Sequence, residues 1–283
     1  MSTVVFFHAH PDDEALASGG TMARMADEGH RVVLVVATRG EEGEPVPGVL
    51  ADGEALGDRR TAEVHEAASI LGVARVAFLG YRDSGMIDDP ANNHPGCFWQ
   101  ADLDSATDKL DAVLADESVD VLVVYDSHGG YGHPDHIQVH RVGTRWAKRM
   151  DAAGGRPVRL RWVTMNRDVI RASIDAAVSA AEAAAAAGEE GWSDEAMLEL
   201  RRERVESDTF GMPDAEITHG VDVTPVLDRK RAAMRAHASQ IAEDSFFLAM
   251  PDEAFAMGFG AEWYVDPDRS RAGGPQRDDL LLE

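Results

Sequence analysis

Cysteine occurs once, at Cys97, so an internal disulfide and any multi-cysteine zinc site are excluded. A metal here must rest on histidine and carboxylate. Lysine is almost as scarce: only Lys109, Lys148 and Lys230 appear among 27 lysines and arginines, a bias that fits high-GC coding and carries no functional meaning. Positive charge as a whole is outweighed, 27 basic residues against 51 acidic, for a net charge of −24 over 283 residues. Phosphate contacts need clustered lysine and arginine, so neither nucleic acid nor an anionic membrane is expected as a partner. The acidity itself fits solubility or salt tolerance. No apolar run reaches 18 residues, which excludes a transmembrane helix. Nor does a basic stretch followed by an apolar one precede Val4, so a cytoplasmic protein is expected.

What the chain does have is alternation. Strand-like runs lie at Val4–Phe7, Val32–Ala37, Val76–Leu79, Val119–Tyr125 and Leu160–Met165, and helical patterns fill the intervals at Leu16–Glu28, Arg59–Leu71, Ser105–Ala115 and Ile137–Met150. The strands are apolar without alternation, which implies burial on both faces. An α/β fold follows: Rossmann-like, a mostly parallel sheet flanked by helices, with ligands bound beyond the carboxyl ends of the strands. After Arg167 an alanine-rich helix and a second one capped by Ser193 read as a helical insertion over 168–210. Its expected role is packing or an oligomer contact. A strand at Ile217–Val223 and a helix from Pro225 to Ile241 follow, and residues from 268 onward read as a frayed tail. One domain spanning 1–283 is expected, without internal repeats.

Two strings carry the chemistry. His8-Ala9-His10-Pro11-Asp12-Asp13-Glu14 follows the first strand, and Gly129-Gly130-Tyr131-Gly132-His133-Pro134-Asp135-His136 follows the fourth. Either alone is ordinary turn and cap chemistry; together, at two strand ends, they predict a site. His10 and Asp13 are three residues apart in an opening helical turn, so imidazole and carboxylate face one way and can share an ion. His136 completes a two-histidine, one-carboxylate set with an open position for water, the ligand number of a catalytic zinc. Imidazole and carboxylate also suit iron. Asp12 then points elsewhere and serves as general base. His133, with Asp135 to hold and charge its ring, is the acid or oxyanion-stabilising group. His136 with His140 is a rival ligand pair, ranked lower because His140 lies a full turn into the helix. His8 alternates into the strand and reads as a supporting or core histidine.

The same strings, with Gly40-Glu41-Glu42-Gly43-Glu44, Arg60 with Glu63, Arg82-Asp83-Ser84-Gly85-Met86 and Arg235-Ala236-His237-Ala238-Ser239-Gln240-Ile241, resemble the LmbE-like N-acetylglucosaminyl deacetylases. That family includes the phosphatidylinositol-N-acetylglucosamine de-N-acetylase, a mycothiol-pathway deacetylase and the mycothiol conjugate amidase. The resemblance implies one zinc on His10, Asp13 and His136, with Asp12 as base and His133 held by Asp135. It further implies Tyr131 as a mobile helper at the oxyanion, Arg60 and Asp83 as sugar- and inositol-binding positions, and Glu44 and Met86 as pocket lining. Gly132 before His133, and the Arg-Asp-Ser-Gly-Met segment, resemble the deacetylase more than the amidase. Segments 39–57 and 89–100 depart from the pattern and are expected at the pocket mouth.

The function expected is thus zinc-dependent removal of an N-acetyl group from a small amino-sugar compound such as a GlcNAc-inositol. An amidase acting on larger thiol conjugates through the same site is the nearest rival. A non-catalytic nucleotide-binding module is the rival from another class; it needs a glycine-rich phosphate loop, and Gly19-Gly20 lacks the G-x-G-x-x-G pattern. Ser84 lacks a nucleophile elbow and reads as a loop hydrogen-bonder, and Cys97 as loop packing. Whether the chain forms a homo-oligomer is left open.

Overall fold

The computed structural model describes residues 1–154, 157–186, 205, 207 and 209–281. In chain order, the elements of the first half are β1 (Thr3–His8), α1 (Gly19–Asp27), β2 (Arg31–Val36), α2 (Leu56–Leu71), β3 (Arg75–Phe78), α3 (Leu103–Leu114), β4 (Val119–Tyr125) and α4 (Pro134–Ala152). Then come β5 (Arg159–Thr164), α5 (Arg167–Ala186), β6 (His219–Asp222), α6 (Leu227–Ala236), α7 (Asp252–Phe259) and β7 (Ala261–Val265). The seven strands form one sheet in the order β3-β2-β1-β4-β5-β7-β6. The first five strands pair in parallel, and β7 joins antiparallel to both β5 and β6.

Unbroken hydrophobicity marks the strands that lie deepest. Val4 to Phe7, Val32 to Val36 and Val121 to Val124 are fully buried, with Phe6 opposite Leu34 on one side and Val123 on the other. Each such side chain contributes roughly 1.5–3 kcal/mol of transfer free energy, so the centre of the sheet supplies much of the folding drive. The chain leaves β1 toward β2 on one side, whereas β4 docks on the other. The strand order therefore reverses at β1/β4, and a crevice opens beyond their carboxyl ends. Both sequence motifs hang there.

The C-terminal third differs from expectation. Strand β7 and helix α7 escape the sequence reading because inward-facing Glu262, which is 2% exposed, interrupts the apolar pattern of β7. The segment expected as a frayed tail is packed. Arg277 exchanges backbone hydrogen bonds with Thr218 and Gly220, at 3.0 and 2.9 Å, and Leu280 is fully buried. Of the expected helical insertion, α5 is described, and the helix expected from Ser193 lies outside the described residues. No described helix is long and apolar enough to cross a membrane.

Candidate metal centre

The first motif leaves β1 in an unusual shape. Asp12 adopts φ +109°, and a π-helical turn, Glu14–Ser18, follows before α1 begins. Such turns concentrate at functional sites. The second motif leaves β4 through a glycine turn, Gly129–Gly132, in which Gly129 has φ +68°. A Cβ on Gly129 would stand 2.7 Å from that of His136, so only glycine lets the loop pass this close. Pro134 then opens α4, with His133 at its cap.

These two loops bring His10, Asp13, His133 and His136 together. Asp13 lies between two rings: one oxygen is 3.3 Å from His10 Nδ1, the other 3.4 Å from His136 Nε2. The far side of each ring is engaged. His10 Nε2 donates toward Asp135 at 3.2 Å and lies 3.3 Å from Asp83, while His136 Nδ1 donates to the Gly129 carbonyl at 3.2 Å. Each ring therefore turns a lone pair toward a carboxylate, an arrangement that repels unless a cation or proton stands between. The Nε2 atom of His136 is buried without a hydrogen-bond partner. The separations of 3.3 and 3.4 Å, each to a different oxygen of Asp13, bring two imidazole nitrogens and a carboxylate, donors of the kind that hold zinc, to one place. The donor set fits a divalent ion.

Charge reinforces the geometry. Burial opposes protonation of His10, yet Asp83, Asp13 and Asp135 hold it well above the ordinary histidine range. Burial works likewise against ionised Asp13, and His136 and His10 hold its carboxyl well below the usual range. The pair is arranged for a positive charge between its members.

His133 also offers a ring nitrogen within 4.8 Å of those of His10 and His136. Its Nδ1, however, accepts the Asp135 backbone N–H at 3.1 Å. The proton of the neutral ring must then sit on Nε2, which makes His133 a donor rather than a ligand. Burial, followed by the nearby His10 and His136, pushes the ring down to about 2. These surroundings favour the neutral ring, whereas the sequence reading has Asp135 charging it. Asp135 likewise departs from expectation. Its carboxylate does not hold the His133 ring; it accepts from His10, from the Ser84 hydroxyl and from the Ser84 N–H at 3.0 Å. Ser84 is thus the loop hydrogen-bonder that anchors Asp135.

Asp12 stays outside the cluster. Arg60 NH2 holds its carboxylate at 3.2 Å and also donates to the Pro11 carbonyl, while NH1 donates to Gly40 at 2.9 Å. A Cβ on Gly40 would collide with that guanidinium at 2.2 Å. Burial lifts Asp12 to about 6 against the pull of Arg60.

Arg60 and Asp83, expected to bind sugar and inositol, are both 4% exposed and already engaged, Arg60 with Asp12 and Asp83 with His10, Glu42 N–H and Gly85 N–H. Their side chains are thus held against Asp12 and His10. Glu44 and Met86, expected as pocket lining, are exposed. Tyr131 stands over the cluster, its ring 5.1 Å from that of His136. His140 turns away to the Tyr125 carbonyl at 2.9 Å and the edge of Trp162, which removes the rival ligand pair. His8 is fully buried between Tyr125 OH, 3.0 Å, and Ser18 Oγ, 2.7 Å, as a supporting residue should be. A cavity of about 450 Å³ is lined by Arg82 and, from the two segments expected at the mouth, by Glu42, Asp89, Asn93 and His94.

Two residues at the site had no role in the sequence reading. Tyr125 stacks on His136 at 4.1 Å, and its hydroxyl meets His8 Nδ1 at 3.0 Å and accepts the Ala9 N–H at 3.3 Å. His237 bonds Glu14 beneath Asp12. A tyrosine ending an apolar strand gives no hint of such a role, and His237 lies 223 residues from its partner.

Residues 5–147 match the family described as PIG-L, GlcNAc-PI de-N-acetylase. The chain is 42% identical over 274 residues to the 1D-myo-inositol 2-acetamido-2-deoxy-alpha-D-glucopyranoside deacetylase of Acidothermus cellulolyticus, covering 94% of this chain and 88% of that one. It is 42% identical over 297 residues to the enzyme of the same name from Geodermatophilus obscurus, with 98% and 96% coverage. A solved deacetylase of the teicoplanin biosynthetic pathway shares the fold at TM-score 0.57 and 16% identity, covering 93% of this chain and 98% of that one. The chain belongs to the PIG-L family of de-N-acetylases.

Proposed function

We propose that this protein is a zinc-dependent N-deacetylase acting on a small amino-sugar compound of the N-acetylglucosaminyl-inositol class. One observation carries the reading: two imidazole lone pairs converge on Asp13, while the next carboxylate in the chain, Asp12, is held clear of them by Arg60. Zinc on His10, Asp13 and His136 would supply a Lewis acid at the amide carbonyl and a lowered pKa for the attacking water. Asp12 takes the proton that water loses, and its lift to about 6 suits a base at neutral pH. His133, whose single proton sits on Nε2, donates to the carbonyl oxygen as negative charge grows there. Tyr131 offers a second donor from the same side. Having no further proton, His133 leaves Asp12 to return its own to the departing nitrogen. Acetate and the free amine result.

The cavity by Glu42, Asp89, Asn93 and His94 offers charged and amide side chains to a polyhydroxylated ligand. The nucleotide-binding rival loses its ground at Gly19-Gly20, because the Gly20 and Thr21 N–H groups that would cradle phosphate both donate to Glu262 at 2.8 Å. The test is release of the free amino sugar by the zinc-loaded protein from N-acetylglucosaminyl-inositol beside a bulky S-conjugate amide. Faster turnover of the sugar-inositol is expected. Preference for the S-conjugate would turn the reading to the amidase, and no acetate from any N-acetylated sugar would end it.

A further inference from the structure

Beneath Asp12 lies a buried pair that the reaction above does not use. Asp12, Asp88 and Ala272 are the non-glycine residues with positive φ among those described, and Asp12, at +109°, is the furthest from the ordinary range. A side chain in that region costs of order 1–3 kcal/mol and persists only where its surroundings enforce it. Here the enforcing group is Glu14. One of its carboxylate oxygens accepts the Asp12 N–H at 3.0 Å, and the other is 2.5 Å from His237 Nε2. Both Glu14 and His237 side chains are fully buried. His237 follows directly on α6 and is fixed in turn: Ser239 donates to Glu63 through its N–H at 2.9 Å and its hydroxyl at 2.6 Å. Glu63 lies one helical turn after Arg60, the residue that holds the Asp12 carboxylate. A single turn of α2 thus pins both the loop carrying Asp12 and the segment carrying His237.

We infer that His237, acting through Glu14, is a positioning residue that locks the Asp12 backbone at its positive φ and so aims the carboxylate of the general base. The inference rests on the assignment of Asp12 as that base. His237 touches no reacting atom in this reading; it restricts the angle from which Asp12 meets water, and errors of about 1 Å in such geometry cost on the order of 100-fold.

The experiment compares His237→Leu, His237→Gln, Asp12→Ala and the Asp12→Ala/His237→Leu double variant, all loaded with zinc. Glutamine keeps an N–H donor at a reach close to that of Nε2; leucine keeps only the bulk. His237→Leu should lower kcat about 10- to 100-fold with KM and zinc affinity within about twofold of the parent, and His237→Gln should recover most of it. In the double variant the leucine should cost nothing beyond Asp12→Ala, because its effect passes through Asp12. A merely structural pair would multiply with Asp12→Ala, and that outcome overturns the inference. So does a slow Asp12→Ala beside a His237→Leu variant of parental kcat. Parental turnover in Asp12→Ala instead overturns the base assignment itself. If His237→Leu does not fold, Glu14→Gln takes its place in the same cycle, since one amide oxygen cannot serve both partners.

Discussion

This fold holds two buried clusters of charge, and they are built to opposite ends. Between α6 and β7, Glu262 accepts from Lys230 Nζ at 2.6 Å, from Gly20 and Thr21 N–H at 2.8 Å each, and from Tyr264 OH at 3.2 Å. All four lone-pair sites of the carboxylate are used, and the cluster caps α1 while tying the antiparallel strands to it. At the β1/β4 edge, by contrast, His136 Nε2 has no partner and two imidazole lone pairs face one carboxylate. A satisfied cluster holds a fold together. An unsatisfied one, kept in place by carboxylates and carbonyls behind it, is poised for something that arrives from outside.

That contrast yields graded expectations. The largest effect falls on the unsatisfied cluster: His136→Ala should abolish zinc binding by elemental analysis and take turnover with it, while the thermal unfolding of the protein stays cooperative. Retained stoichiometric zinc would break the ligand assignment. Asp12→Ala should keep its metal but lose about 10²- to 10⁴-fold in kcat, the usual range for a general base. On the satisfied side, Lys230→Met strands Glu262 as an uncompensated buried charge. It should cost about 3–5 kcal/mol in denaturant unfolding, with kcat per folded molecule unchanged. A mild loss there would show the pair to be dispensable.

Smaller effects sharpen the same line. Tyr125→Phe removes the hydroxyl that ties the end of β1, at His8 and Ala9 just before His10, while leaving the ring stacked on His136. Zinc affinity, read by competition with a chelator, should fall about 10- to 100-fold, as for other residues that support a metal ligand. The smallest change is expected at the exposed Arg149–Asp104 and Arg149–Asp108 pairs on α4 and α3. Arg149→Ala should leave the unfolding midpoint, metal content and turnover at the parent's values, since solvent screens exposed pairs.

Parallel strands and a cluster of imidazole and carboxylate are legible in the sequence for one physical reason: both depend on local chemistry at fixed spacing. Continuous valine and phenylalanine announce a strand buried on both faces, and a histidine three residues before an aspartate in an opening turn announces a shared ion. Asp135 and Arg60 show where this fails. Asp135 sits two residues from His133, which invites pairing, yet the Asp135 N–H occupies the His133 ring while its carboxylate swings to His10 and Ser84. Arg60 matches the substrate-binding pattern of the family, yet burial against Pro11, Gly40 and Asp12 turns it inward.

The amino-acid order alone determined that two strand ends carry imidazole and carboxylate, that cysteine plays no part, and that a mostly parallel sheet supports them. Only the folded chain decided which oxygen meets which nitrogen, because partners such as Glu14 and His237, or Gly20 and Glu262, lie more than 200 residues apart and a contact of that span leaves no local periodicity behind. Side-chain direction at a crowded strand edge is set by which neighbours still have a free donor or acceptor, and that census exists only once every element is in place.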